Sequence, residues 1–328
     1  MCDWRWYRAI IQPMNKNMGW IEKVPGEALL LLTAMIWGTG FVAQRKAMES
    51  MQPFAFIALR FFLGALVLLP AITLDRLKQR SNDPQTQRFS FKDQILPGVV
   101  CGLFLFGGTS LQQLGIVTTS ASKAGFLTSL YLVLVPILGL FIGKGANRWV
   151  WIGVVLALAG VYLLSVDMQM TIQQGDVLLI AGALFWALQI LALDYYSTKT
   201  SALKLAFGQF IVAAVLGMAV SLLTENGALV PDSAGWGPLF YSGVVAVGIG
   251  FTLQVIGQNK VAPTLASLIL SLEAVFALLG GTVFLGERLS SREWLGCGLM
   301  LAAVILVQIK GQQTKTVIQS GSETVQQH

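Results

Sequence analysis

Among 328 residues there is a single histidine, His328, and it is the last residue. An imidazole relay or a histidine-based metal site is thereby excluded. Cysteine is nearly as scarce. Cys2, Cys101 and Cys297 are scattered, the last two inside apolar segments, which suggests neither a disulfide scaffold nor a metal cluster. Charged residues make up 12% of the chain, against about 25% in an average soluble domain. No GxxxxGK[ST] segment is present, which argues against an ATP-driven pump within this chain. No HExxH or GxSxG segment points to an enzyme, and no filter-like repeat points to a channel. No cofactor site is indicated.

What the sequence has instead is apolar length. Hydrophobic residues form 55% of the chain, with a mean hydropathy of +0.69. A globule always exposes much of its surface and could not hide that many apolar side chains from water. The composition therefore predicts an all-α polytopic membrane protein, and the 34 glycines suit helices that approach closely. Windows of about 19 residues predict spans near 28–44, 54–74, 95–115, 122–142, 147–165, 175–193, 202–223, 237–258, 264–285 and 291–309. The two longer links, 75–94 and 224–236, have turn composition rather than domain composition. Residues 1–27 read as a cytoplasmic leader without the apolar core of a signal peptide, either an interfacial segment or residues upstream of a true start at Met14 or Met18. Residues 310–328 read as a disordered cytoplasmic tail.

Basic residues set the expected orientation. Of the 22 lysines and arginines, Arg45, Lys46, Lys123, Arg288 and Arg292 fall on one side and Arg60 falls within a span; the other sixteen share the side of the N-terminus. Both termini are therefore expected in the cytoplasm. The net charge of +6 is accounted for by this placement, so no nucleic-acid partner is called for; the partners expected are membrane lipids and a small-molecule substrate.

The chain also repeats itself. A shift of 149 places Trp37 on Trp186, Arg60 on Gln209 and Phe61 on Phe210; a shift of 142 places Gln112 on Gln254, Ser129 on Ser271 and Tyr131 on Glu273. The halves are 28–165 and 175–309, with five spans each. Because five is odd, the second copy enters the membrane from the opposite side, which predicts ten transmembrane helices as two inverted five-helix repeats, the arrangement many secondary transporters use.

The run "SLILSLEAVFALLGGTVFLGERLSSREWLGCGLMLAAVILV", together with "AMIWGTGFVAQRKAM" in the first half, resembles the EamA-type transporters of the drug/metabolite transporter superfamily. The resemblance covers residues 28 to 309. It implies a secondary transporter in a bacterial inner membrane, an exporter of small organic metabolites or amino acids working by alternating access. A lipid or lipid-linked sugar flippase and a non-transporting membrane scaffold or sensor are the alternatives. One chain suffices for such a site, and a homodimer stays open. Two departures from the family pattern stand out: Ala274 replaces the proline that commonly follows the acid, so a kink is expected to be missing, and in the first half Tyr131 replaces the acid while Gly143-Lys144-Gly145 replaces "GE".

The polar residues within spans are the candidate pathway. Glu273 lies inside a 22-residue apolar run, Thr264 to Leu285, which as a helix spans roughly 33 Å. An ionised side chain at the midplane costs at least about 2.5 kcal/mol, so the carboxyl must be neutral, paired or facing a wet cavity. Arg60 reads three ways: snorkelling to an interface, pairing with Glu273, or attracting anionic substrate groups. Gln112, Gln254, Gln189 and Gln209 could coordinate substrate or simply join helices, as could Gln44, Gln113 and Gln258. Trp37, Trp186 and Tyr131 could line a cavity, whereas Trp149, Trp151, Trp236 and Trp294 read as belt residues. Lys123 reads as an anchor, and Glu287 with Arg288 as a local pair.

Overall fold

The structure is a computed structural model that describes residues 23–82, 95–119, 121–165, 174–226, 229–285 and 290–325. Residues 1–22 of the leader, Glu287, Arg288 and the side chain of Lys123 lie outside that description. Ten apolar helical segments follow one another among the described residues. They are α1 (Gly26–Ala47), α2 (Pro53–Asn82), α3 (Leu96–Thr118), α4 in two pieces (Ala121–Ser129 and Tyr131–Phe141), α5 (Arg148–Ser165), α6 (Gln174–Tyr196) and α7 (Ala202–Thr224). Next come α8 (Trp236–Gln258), α9 in two pieces (Pro263–Leu270 and Glu273–Leu285) and α10 (Ser291–Val325). Nine of these, among the described residues, are long and apolar enough to cross a membrane, and Arg148–Leu164 is a shorter apolar helix. The protein is a multi-pass membrane protein.

Apolar side chains all round a helix leave no solvent face, so these helices pack on one side and present Leu, Val and Phe on the other. Phe62 and Leu66 of α2, Val215 and Leu222 of α7, and Leu301 and Ile305 of α10 are exposed in this way. The interior is held by buried residues of every span, from Leu30 and Phe61 through Phe210 to Met300.

Three helices are irregular, and each irregularity borders the interior. α4 is interrupted at Leu130 and α9 at Ser271 and Leu272, positions that a shift of 142 superposes. Ser129 Oγ donates to Gly125 O at 2.8 Å and Ser271 Oγ to Leu268 O at 2.8 Å, side-chain bonds that compete with the helical ladder and bend it. The expectation that α9 lacks a kink because Ala274 replaces proline is thus corrected: the interruption is present without proline. The third irregularity is in α8, which begins as α-helix over Trp236–Phe240, widens to a π-helix over Tyr241–Phe251 and returns to α over Thr252–Gln258.

Two connections are fixed by specific hydrogen bonds. After α4, Gly143 takes φ of 74°, its N–H bonds Leu140 O, and Lys144 N–H bonds Gly139 O at 2.8 Å. That pair is a Schellman cap, and it gives the Gly-Lys-Gly departure a structural role. At the start of α2, the carboxylate of Glu225 accepts from Phe54 N at 2.7 Å and Ala55 N at 2.9 Å, filling two donors that a helix start leaves open. α10 continues to Val325, through most of the residues expected as a tail from residue 310. No proline follows the span, and extending an existing helix is far easier than nucleating one.

Candidate substrate-binding cavity

A cavity of about 550 Å³, solvent-open space included, lies where α1, α2, α3, α4, α6, α8 and α9 meet. Of the nine residues predicted as pathway candidates, Trp37, Arg60, Gln112, Tyr131, Trp186, Gln254 and Glu273 line it; Gln189 and Gln209 do not. Gln44, named with the other glutamines inside the spans, lines it too, as do Phe41, Thr109, Thr128 and Phe251, which were not among the candidates. Gln44 was visible as a polar side chain on an apolar background, whereas Thr128 and Phe251 carried no signal that separates lining from packing.

Glu273 opens the second piece of α9, directly after the interruption. Its carboxyl accepts from Tyr131 Oη at 3.1 Å, and Tyr131 opens the second piece of α4 in the same way. The two residues that the repeat superposes therefore touch each other. Both are buried, at 4% and 3% exposure. Here the backbone of α9 is pressed against α1: a Cβ added to Gly38 would stand 2.5 Å from Glu273 O and 2.7 Å from Ala277 N. Only glycine allows that approach, and it fixes where the carboxyl points.

Arg60 is 5% exposed and does not snorkel. Its Nη1 donates to Gln44 Oε1 at 3.0 Å, and its guanidinium lies 5.0 Å from the Phe56 ring centre and 5.1 Å from that of Phe61. The pairing with Glu273 considered from the sequence is absent: Tyr131 is the partner of Glu273, and Gln44 that of Arg60. The reason is reach, because Gln44 at the end of α1 stands between α2 and α3. Gln112 Nε2 donates to the same Gln44 Oε1 at 3.2 Å, and Trp186 Nε1 donates to Gln112 Oε1 at 3.0 Å. A chain of four side chains results, running from Arg60 to Trp186.

The aromatic wall is equally specific. Trp186 stacks on Phe251 with ring centres 6.0 Å apart and planes 18° apart, and Trp37 lies 4.5 Å from Phe251. The π-helix supports this arrangement: Trp37 Nε1 donates to Ala246 O at 3.1 Å, and Tyr241 Oη donates to Ile36 O at 3.0 Å. π-helical stretches are frequent at functional sites because the wider turn redirects side chains and backbone carbonyls.

A second polar cluster closes the end of the bundle where α1 begins. Gln189 Nε2 donates to Gln209 Oε1 and Gln254 Oε1, each at 3.3 Å, and Gln254 Nε2 returns a bond to Gln189 Oε1 at 3.1 Å. Below it, Gln258 Nε2 reaches Ile190 O at 3.2 Å and Asn259 Nδ2 reaches Ser197 O at 2.6 Å. Lys144 pairs with Asp194 at this end. Partial burial pushes the Lys144 ammonium below the usual lysine range.

The sequence matches known proteins across nearly the whole chain. The profile of the EamA-like transporter family matches residues 24–166 and matches again over 173–309. An uncharacterized transporter of Archaeoglobus fulgidus is 31% identical over 291 residues, covering 88% of each chain. The inner membrane transporter YedA of Escherichia coli K12 is 23% identical, covering 88% of this chain and 92% of its own. The threonine/homoserine exporter RhtA of the same organism is 26% identical over 254 residues, 75% of this chain and 78% of its own. A solved crystal structure superposes with a TM-score of 0.73 at 20% identity, covering 88% of this chain and 98% of that one. The three relatives are named as transporters or as an exporter, and the chain belongs to the EamA-like transporter family.

Proposed function

We infer that this transporter exports small organic metabolites, amino acids among them, by alternating access between two inverted halves, 28–165 and 175–309, with both termini in the cytoplasm. The observation that carries the reading is the Tyr131–Glu273 bond, which joins repeat-equivalent positions at the first residue after each helix interruption. Interrupted helices near the midplane supply hinges and unpaired backbone groups around a central site. The double family match and the exporter relative support it, as does the asymmetry of lysine and arginine between the loops.

In this reading Glu273 handles a proton. Its carboxyl is buried, faces the cavity and is held by one neutral hydroxyl, so it can exchange a proton when the cavity opens to either side. Glu273→Gln keeps the shape and a hydrogen bond to Tyr131 while removing that cycle. Protein reconstituted at matched amount and orientation should lose accumulation driven by a pH gradient at least tenfold while retaining exchange. Wild-type-like accumulation by Glu273→Gln would remove the coupling role. Movement of lipid analogues with none of soluble solutes would replace the export reading by a flippase.

A further inference from the structure

The cavity holds one buried cation and one buried carboxyl that do not neutralise each other. Arg60 and Glu273 both line it, yet each has a neutral protein partner, Gln44 and Tyr131. Two further atoms have no protein partner: Nε of Arg60 and Oγ1 of Thr128, which also lines the cavity and is 3% exposed. A buried donor left unsatisfied is costly, more so when charged, and the Phe56 and Phe61 rings hold the guanidinium in place rather than neutralise it.

We propose that the cavity is a zwitterion site, in which Arg60 and Thr128 take the carboxylate of a free amino acid, Glu273 takes its ammonium group, and an apolar side chain lies against Trp37, Trp186 and Phe251. This deepens the transport reading of the same cavity and rests on it. The choice follows from charge. An organic cation would meet Arg60, an organic anion would meet Glu273, and a neutral solute would leave both without a counter-charge. A zwitterion supplies one opposite charge to each and brings no net charge into the membrane interior. A guanidinium edge is suited to a carboxylate, because its donors diverge at the angle that two carboxylate oxygens accept. The three ligand-seeking residues are also those in which the repeat is broken: Arg60 faces Gln209 in the alignment of halves, Thr128 faces Leu270, and Glu273 faces Tyr131. The carboxylate end of the site is thus supplied by the first half and the ammonium end by the second, so the substrate bridges them.

The test is calorimetric binding by the purified full chain in detergent, independent of flux. L-Alanine, L-leucine and L-phenylalanine are compared with their methyl esters, which lack the carboxylate, and with their N-acetyl derivatives, which lack the ammonium group. At least one free amino acid should bind ten or more times tighter than both of its derivatives. Arg60→Gln should erase the preference over the ester and keep the preference over the N-acetyl compound; Glu273→Gln should do the reverse. Both changes install a side chain the scaffold already carries or closely mimics, and Thr128→Val gives a third variant that should weaken the ester discrimination alone. Equal binding of a free amino acid and its ester would overturn the proposal, as would folded protein that binds none of the three. If such protein still moves other solutes in liposomes, the transport reading stands while the zwitterion site falls. Selective binding with no flux of any solute has the opposite meaning.

Discussion

Each half of the molecule places a glutamine-rich cluster on its first three helices, and the two clusters have opposite characters. In the first half, Gln44, Arg60 and Gln112 sit against the cavity and carry a positive charge whose Nε has no protein partner. In the second half, Gln189, Gln209 and Gln254 bond to one another, carry no charge, and only Gln254 reaches the cavity. The acid is distributed the other way, with Glu273 in the second half and Tyr131 in the first. The repeat-equivalent pairs Arg60/Gln209 and Gln112/Gln254 thus have different surroundings: the first cluster lines the cavity, and the other joins α6, α7 and α8 near the end of the bundle where α1 begins. In the alternating-access mechanism proposed above, a symmetric scaffold rocks between two states while an asymmetric set of side chains gives its cavity a polarity.

The largest effect should come from forcing the second cluster to resemble the first. Gln209→Arg puts a guanidinium beside Gln189 and Gln254 with no counter-charge in the cluster and away from the cavity. An uncompensated buried charge costs about 3 to 5 kcal/mol, so this variant should unfold at a much lower temperature or fail to leave detergent extraction as a monodisperse species. The reciprocal change, Arg60→Gln, should leave thermal unfolding near wild type. Equal stability of the two variants would show that the clusters are interchangeable.

The helix contact at the site distinguishes the halves again. Gly38 touches the backbone of α9, whereas its repeat equivalent is Ala187, a buried residue that carries a methyl group. Gly38→Ala drives a Cβ into Glu273 O, and overpacking against backbone should cost about 2 to 3 kcal/mol by calorimetric unfolding. Ala187→Gly should cost about 1 kcal/mol, the helix penalty for glycine with little packing lost.

Next in size is the bond that joins the halves. Tyr131→Phe leaves the Glu273 carboxyl without its hydroxyl donor and should cost about 2 kcal/mol, with assembly preserved. Exchanging the two residues, Tyr131→Glu with Glu273→Tyr, restores a hydroxyl beside a carboxyl. The double variant should be more stable than Glu273→Tyr alone, and a double-mutant cycle reads the difference as coupling.

Much of this contrast was legible before the structure. The spans follow from apolar length, and the superposed pairs Trp37/Trp186, Gln112/Gln254 and Tyr131/Glu273 point to residues that do share the cavity. Intramembrane polar residues are costly enough that their presence is informative. What could not be read was contact between spans. Whether Arg60 meets Glu273 or Gln44 depends on helix rotation, which apolar residues on every face leave unspecified. The π-helical turn of α8 was equally hidden, since Gly243, Gly248 and Gly250 are compatible with an ordinary close-packed helix. Gln189 was a pathway candidate by its polarity and Gln209 by its polarity and its match to Arg60, and neither signal distinguishes a residue that lines a cavity from one that bonds behind it.

The smallest effect concerns how the second helix of each half begins. The first N–H groups of α2 are capped from a distance by Glu225, which also accepts from Ser221 Oγ at 2.7 Å and so ties the end of α7 to the start of α2. Its counterpart α7 has Ser201 at the N-cap without a side-chain bond, and is entered by local backbone hydrogen bonding alone. Glu225→Ala should therefore cost about 1 kcal/mol, the usual value of an N-cap, and Ser201→Ala markedly less. Hydrogen exchange gives the sharper readout: protection of Phe54 and Ala55 amides should fall in Glu225→Ala, while the amides that open α7 are unchanged in both variants. Loss of protection at α7 as well would mean that the carboxylate holds the two helices together rather than capping one of them.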